Sequence, residues 1–153
     1  MLNKEIILNN ELETTSLARD FAKHLKIGDI VVFKGNLGSG KTFFCRQIIQ
    51  TLCGNDIVVT SPTYNLLQTY PNNDNSCEIY HYDLYRLKHP DEVIELAIEE
   101  AFSANITLIE WPEIIENTLP KNHIEITLEI IDDTRRKCIV KHTSFETGIG
   151  VSI

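Results

Sequence analysis

Gly35-Asn36-Leu37-Gly38-Ser39-Gly40-Lys41-Thr42 is the stretch that decides the fold. It matches the pattern G-x-x-x-x-G-K-[ST], in which glycines let backbone N–H groups converge on phosphate oxygens. The apolar run Ile30–Phe33 precedes it and predicts a buried strand, and an amphipathic helical pattern follows it to about Leu52. A helix that starts directly after such a loop adds unpaired N–H donors and a partial positive charge. The stretch therefore predicts an ATP-binding P-loop, with an ordinary strand–turn–helix connection as the alternative.

Two side chains of this loop carry the expected nucleotide chemistry. The ammonium group of Lys41 is predicted to neutralise the β- and γ-phosphates, and the hydroxyl of Thr42 to ligate Mg²⁺.

Hydrolysis needs an acidic group near the metal ion or the attacking water. Glu110 follows the apolar run Ile106–Ile109, which is the place of a Walker-B carboxylate, although Asp is usual there and a solvent-facing glutamate is the alternative. In an extended chain His81, Asp83 and Tyr85 share a face. Asp83 is a candidate to hold water or metal, and it could equally cap a turn or pair with Arg86.

The remaining pattern predicts an α/β domain. Strands are expected at Ile6–Leu8, at Ile57–Val59 and in a hairpin of residues 64–70 and 78–84. One helix, capped by Thr14, Thr15 or Ser16, is expected to reach about Leu25, and another to run from Pro90 to about Phe102. Residues 124–130 alternate apolar and polar side chains and are expected to pair with 137–141. The fold prediction is a single P-loop NTPase-like domain over residues 1–153, with a mixed sheet that has an antiparallel portion and is flanked by helices.

Composition narrows the function classes. The 153 residues carry a formal net charge of −8, from 22 acidic and 14 basic residues. This argues against direct nucleic-acid binding, which needs a basic surface. No apolar run approaches the length of a membrane span, so a cytoplasmic protein without membrane contact is expected. The four cysteines form no C-x-x-C pair and the histidines show no H-E-x-x-H spacing, so the spacing indicates no structural metal, and packing is the expected role of Cys45 and Cys53.

Four motifs together resemble the TsaE family of bacterial tRNA threonylcarbamoyladenosine synthesis proteins. They are the loop at residues 35–42, then Ser61-Pro62-Thr63-Tyr64, then His81-Tyr82-Asp83-Leu84-Tyr85-Arg86-Leu87, and then Ile109-Glu110-Trp111-Pro112-Glu113. The resemblance implies an ATPase that joins the TsaB–TsaD pair and sustains its turnover, with tRNA contacted only through that complex. A small-molecule P-loop kinase and a non-hydrolysing, nucleotide-stabilised interaction module are the alternatives.

The resemblance also implies roles for individual residues. The phosphates would be bound by Leu37, Gly38, Ser39, Gly40, Lys41 and Thr42, Phe43 would complete the nucleotide-binding set, and Mg²⁺ would be held by Thr42 and Glu110. Glu110 and Lys41 would serve hydrolysis, and Asp83 would support hydrolysis or its coupling to the partners. Thr63 would lie in a switch-like loop, although the residues alone favour a plain turn. Trp111 would lie near the nucleotide or a partner surface, with core packing as its alternative. By looser similarity Glu11 and Thr14 would lie near the adenine end of ATP. The chain departs from the family at Phe43, where Thr is frequent, and at Ala97, where Gly is frequent.

Overall fold

The computed structural model describes residues 2–143, which form one mixed sheet of seven strands with helices on both faces. The strands are β1 (Leu2–Leu8), β2 (Ile30–Lys34), β3 (Leu67–Pro71), β4 (Glu78–Asp83), β5 (Ile106–Glu110), β6 (Ile124–Ile130) and β7 (Arg136–His142). The helices are α1 (Glu11–Ala22), α2 (Lys41–Cys53) and α3 (Ile98–Ala104), with 3₁₀ helices at Pro90–Leu96 and Pro112–Thr118. The predicted α/β class is confirmed; residue 1 and residues 144–153 of the predicted domain lie outside the described residues.

The strand order is β1-β7-β6-β2-β5-β4-β3. The central strands β6, β2, β5 and β4 run parallel, and β1, β7 and β3 pair antiparallel with their neighbours. The carboxyl ends of β2, β4 and β5 therefore meet at one edge, where open α/β sheets bind ligands. The predicted hairpin and the pairing of β6 with β7 are both confirmed.

Two apolar clusters cover the two faces of the sheet. Phe21 of α1 packs edge to face on Phe44 of α2, whose ring also contacts Phe33 of β2, and all three are buried. On the other face Tyr82 and Ile109 are buried with the 3₁₀ helices and α3. Among residues 2–143 no helix combines the length and apolar character that a bilayer crossing requires.

Helix α1 begins earlier and ends earlier than predicted. Asn10 caps it, because its side-chain oxygen accepts a hydrogen bond from the Glu13 N–H at 2.9 Å. The predicted caps at Thr14, Thr15 or Ser16 are therefore wrong, and Thr14 lies in the first turn. The helix ends at Ala22 instead of Leu25.

The predicted strand at Ile57–Val59 is not present. The Ile57 N–H donates to the Gly54 carbonyl at 3.1 Å, and its own carbonyl accepts from the Gln50 amide at 3.3 Å. These backbone groups are thus satisfied by the end of α2, and Val58 is 80% exposed. An apolar triplet was too short a signal to distinguish this turn from a strand.

The helix predicted over residues 90–102 is broken at Ala97. Ala97 has a left-handed backbone with φ 57° and separates the 3₁₀ helix from α3. The Tyr82 hydroxyl donates to the Leu96 carbonyl at 2.6 Å, which holds the chain at the break. Glycine adopts this conformation without steric cost, which gives a physical reason for the glycine that is frequent here in the resembled family.

Candidate functional site

The phosphate-loop motif connects the end of β2 to the start of α2. Gly38 and Gly40 have φ values of 79° and 105°, a region that favours glycine. A Cβ atom at Gly35 would lie 2.5 Å from the Leu128 carbonyl oxygen and 2.6 Å from Ser39 Oγ, so a side chain there would collide with the neighbouring strand and the loop. No side chain caps α2 at Gly40. The helix terminus therefore presents its N–H groups and partial positive charge to the space above the loop.

Lys41 turns its ammonium group back over the loop. Its Nζ donates hydrogen bonds to the carbonyl oxygens of Gly35 at 2.6 Å and Asn36 at 3.0 Å. The same atom lies 4.1 Å from the centroid of the Trp111 ring. Desolvation by burial lowers the pKa of Lys41, and the negative charges of Glu110 and Asp83 oppose that effect. The cation is held at the position where phosphate charge is expected.

Glu110 lies at the end of β5, directly beside the start of α2. It is 1% exposed, and its Cα pairs with those of Phe33 on β2 and Asp83 on β4. Glu110 Oε1 accepts a hydrogen bond from the Thr42 hydroxyl at 2.7 Å, and Oε2 lies 2.7 Å from His81 Nε2. Glu110 is therefore a buried carboxylate and not the solvent-facing strand-end residue of the alternative reading.

Asp83 is the second buried acid of the site. Its Oδ2 accepts from the Thr63 hydroxyl at 3.1 Å, and its Oδ1 accepts from the Tyr85 N–H at 3.1 Å. Burial raises the pKa of Asp83, the nearby Glu110 charge adds to the rise, and the Tyr85 N–H opposes it. The possible pairing with Arg86 does not occur, because that guanidinium lies over the Tyr64 ring at 5.0 Å.

Trp111 bridges the loop lysine and the segment after β4. Its backbone is left-handed with φ 56°, which turns the chain directly after Glu110. Its ring lies 4.7 Å from the Tyr85 ring, centroid to centroid, and under the Lys41 ammonium group. The side chain is half-buried at the site, so simple core packing does not describe it.

Two cavities flank the loop. The first, of about 320 Å³, is the phosphate-side cavity and is lined by Leu37, Gly38, Gly40, Lys41, Thr42, Phe43, Ser61, Thr63, Asp83, Glu110 and Trp111. The second, of about 330 Å³, is called the nucleoside-side cavity after the role predicted for Glu11 and Thr14. It is lined by Asn10, Glu11, Thr14, Gly38, Ser39, Gly40, Phe43, Leu128, Asp133, Thr134 and Arg136. All the site residues expected from the sequence line one of these cavities. Phe43 lines both, and Glu11 and Thr14 lie on the nucleoside side only.

Sequence reasoning missed Arg136. Its Nε donates to the Ser39 carbonyl at 3.1 Å and its Nη1 to the Asp132 carbonyl at 2.8 Å, so it joins the β6–β7 turn to the phosphate loop. The basic cluster at residues 135–137 was the available signal. It carried no motif, and the two segments that Arg136 connects are about a hundred residues apart in sequence.

Comparison with known proteins gives one consistent result. The family model described as "Threonylcarbamoyl adenosine biosynthesis protein TsaE" matches residues 8–138. A TsaE protein of Rickettsia bellii is 54% identical over 138 residues, covering 90% of this chain and 94% of that protein. One of Bacillus subtilis is 34% identical over 129 residues, covering 84% and 78%. The crystal structure of B. subtilis YdiB superposes with a TM-score of 0.73 at 27% identity, covering 94% of this chain and 87% of that one.

Proposed function

The chain belongs to the TsaE family of threonylcarbamoyl adenosine biosynthesis proteins, and from this premise we propose that it binds Mg²⁺-ATP and hydrolyses it in support of tRNA modification. The observation that carries the proposal is the phosphate-side cavity. Lys41, Thr42, Asp83 and Glu110 line it together, although they come from the start of α2 and the ends of β4 and β5. A cation, a hydroxyl and two buried carboxylates beside a glycine loop are the groups that phosphoryl transfer to water requires.

The residues fit a bound nucleotide and its metal ion. The phosphates would be held by the N–H groups of residues 37–42 and by the Lys41 ammonium, and the nucleoside by Glu11, Thr14 and Phe43 in the adjoining cavity. Mg²⁺ prefers oxygen ligands, which the Thr42 hydroxyl and the Glu110 carboxylate provide 2.7 Å apart. When bound, the ion would neutralise charge on the β- and γ-phosphates.

Asp83 is the proposed group that orients the attacking water and accepts its proton. Its raised pKa makes it a stronger base than an exposed aspartate. The Thr63 hydroxyl and the Tyr85 N–H fix its two oxygens, and this links the segment at residues 61–64 to the hydrolytic group. That segment is our candidate for the switch-like loop.

The proposed setting is a complex in the cytoplasm. We propose TsaB and TsaD as the protein partners, with tRNA held by them, because a chain of net charge −8 is poorly suited to grip a polyanion. Intrinsic hydrolysis is expected to be slow. The Arg136 guanidinium is engaged with loop and turn carbonyls, so a charge that stabilises the transition state would come from the assembled complex.

Reconstitution tests the proposal. The chain is combined with TsaB, TsaD, tRNA and a supplied threonylcarbamoyl donor, and both inorganic phosphate release and repeated rounds of tRNA modification are measured with and without ATP. We expect both to require this chain and ATP, and both to fail with Asp83→Asn. Modification that continues unchanged without this chain would refute the pathway role. Transfer of phosphate to a small molecule would favour the kinase alternative. Full function of the Asp83→Asn variant would favour the non-hydrolysing interaction module.

A further inference from the structure

A cluster of three different metal-binding side chains lies beneath the phosphate loop. The Cys45 thiol, a ring nitrogen of His81 and a carboxylate oxygen of Glu110 lie within 4.8 Å of one another, and all three residues are buried. They come from α2, β4 and β5, so their sequence spacing carried no metal signature. We propose that these three side chains form a binding site for Zn²⁺ that is distinct from the Mg²⁺ site and shares Glu110 with it.

The ligand chemistry selects the ion. Zn²⁺ is bound by thiolate, imidazole and carboxylate groups, and sites with three protein ligands leave the fourth position open. Mg²⁺ takes oxygen ligands in octahedral geometry and does not favour a thiolate. Tetrahedral zinc places its ligand atoms about 3.3–3.6 Å apart, from bond lengths of about 2.0–2.3 Å. The ligand atoms of the cluster lie within 4.8 Å of one another, so zinc binding requires them to adjust by side-chain rotation.

His81 supplies the imidazole of the cluster. It is 0% exposed, and its Nδ1 has no hydrogen-bond partner among the described residues, while Nε2 lies 2.7 Å from Glu110 Oε2. Either imidazole nitrogen of a neutral histidine can ligate zinc. Nε2 is the nitrogen that faces Glu110, so zinc bound by both side chains would take the place of the hydrogen between them.

Of the three side chains, Glu110 lines the phosphate-side cavity, and Cys45 and His81 are 0% exposed behind it. Glu110 and Thr42 line that cavity, and Cys45 follows Thr42 by three residues, so it lies on the same face of α2. When the sulfur ligates zinc, the Cys45 thiol releases its proton to solvent, and no oxidant or reductant takes part. Zinc bound to Glu110 competes with the Thr42 hydroxyl for that carboxylate. Zinc is therefore expected to weaken Mg²⁺-ATP binding.

Metal titration of the nucleotide-free protein tests the site. The wild type is compared with Cys45→Ser and Cys45→Ala, and with Cys53→Ser as the matched control, because Cys53 is a buried cysteine of the same helix. We expect one equivalent of Zn²⁺ to bind the wild type, with affinity reduced at least about tenfold in both Cys45 variants and unchanged in the control. Co²⁺ in place of Zn²⁺ is expected to give a thiolate-to-cobalt absorption band in the wild type that both Cys45 variants lose.

The outcomes separate this site from the proposed ATPase. Zinc affinity of Cys45→Ala equal to that of the wild type, or a cobalt band that persists in it, would overturn the zinc site, and so would the absence of stoichiometric zinc binding by the wild type. These measurements use no nucleotide, so such a failure would leave the ATP site standing. In a second arm, with free Zn²⁺ held constant by a metal buffer, zinc is expected to weaken Mg²⁺-ATP binding to the wild type and not to Cys45→Ala. Equal weakening in both would also count against the site.

Discussion

Replacement of Lys41 by methionine tests the electrostatic basis of the proposed ATP site. Methionine keeps an unbranched side chain and removes the ammonium group, which in this structure donates to the Gly35 and Asn36 carbonyls and lies over the Trp111 ring. A charge-assisted hydrogen bond is worth about 1.5–3 kcal/mol. We therefore expect the dissociation constant for Mg²⁺-ATP to rise about ten- to a hundred-fold.

Isothermal titration calorimetry measures this change directly. Lys26→Met is the matched control, because Lys26 is exposed, precedes β2 and so lies at the opposite end of that strand from the loop, and its loss changes the net charge equally. Chemical denaturation of both variants checks that each is folded. An affinity of Lys41→Met equal to that of the wild type, or an equal loss in Lys26→Met, would refute the reasoning.

Three further changes test other parts of the structure. Asp83→Asn is expected to slow partner-supported hydrolysis by about a hundredfold or more while ATP affinity measured by calorimetry stays near the wild-type value, because it removes the proposed base and no phosphate contact; a parallel loss of affinity would argue against that role. Ala97→Gly is expected to raise the free energy of unfolding by about 0.5–1 kcal/mol, because glycine adopts the left-handed backbone without strain. The exposed helical control Ala104→Gly is expected to lower the free energy of unfolding by a similar amount. Denaturant titrations in which both variants change stability in the same direction would contradict this. Asp132→Asn is expected to lower stability at neutral pH. Hydrogen bonds from Arg135 and Thr134 lower the pKa of Asp132 from 3.8 to about 2 in the folded protein. The carboxylate's contribution to the free energy of unfolding is therefore complete above pH 3.8 and is lost as the pH falls toward 2. Denaturation midpoints of variant and wild type that fail to converge over that range would refute this prediction.

The sequence was sufficient for the parts of the fold that follow from local patterns. The strand, glycine loop and helix of residues 30–53, the β3–β4 hairpin and the alternating strand β6 were all predictable, because each depends on spacing within one segment. The break in the helix at Ala97 was not predictable from such a pattern. It depends on a hydrogen bond to the Leu96 carbonyl from Tyr82, which lies 14 residues before Leu96 on another element. The left-handed conformation of an alanine cannot be read from its side chain.

The candidate site divides in the same way. Lys41 and Thr42 follow from the motif itself. Glu110 and Asp83 were candidates from their places at strand ends, and the family resemblance implied their roles. The contact of Glu110 with His81 depends on the parallel pairing of β4 with β5. The contact of Arg136 with Ser39 depends on the position of β7 in the sheet. These contacts join residues 29 and 97 positions apart, and no pattern within one segment encodes them.

The position of β7 between β6 and β1 also governs the order in which the protein can be completed on the ribosome. Strand β1 is synthesised first, and its neighbour in the sheet is β7, residues 136–142. The backbone groups of β1 therefore cannot form their sheet hydrogen bonds until almost the whole chain has been synthesised. The same late segment brings the Arg136 guanidinium to the Ser39 carbonyl. A nascent chain that ends before residue 136 therefore has the phosphate-loop sequence without this support, and it exposes the unpaired edges of β6 and β1 to other chains.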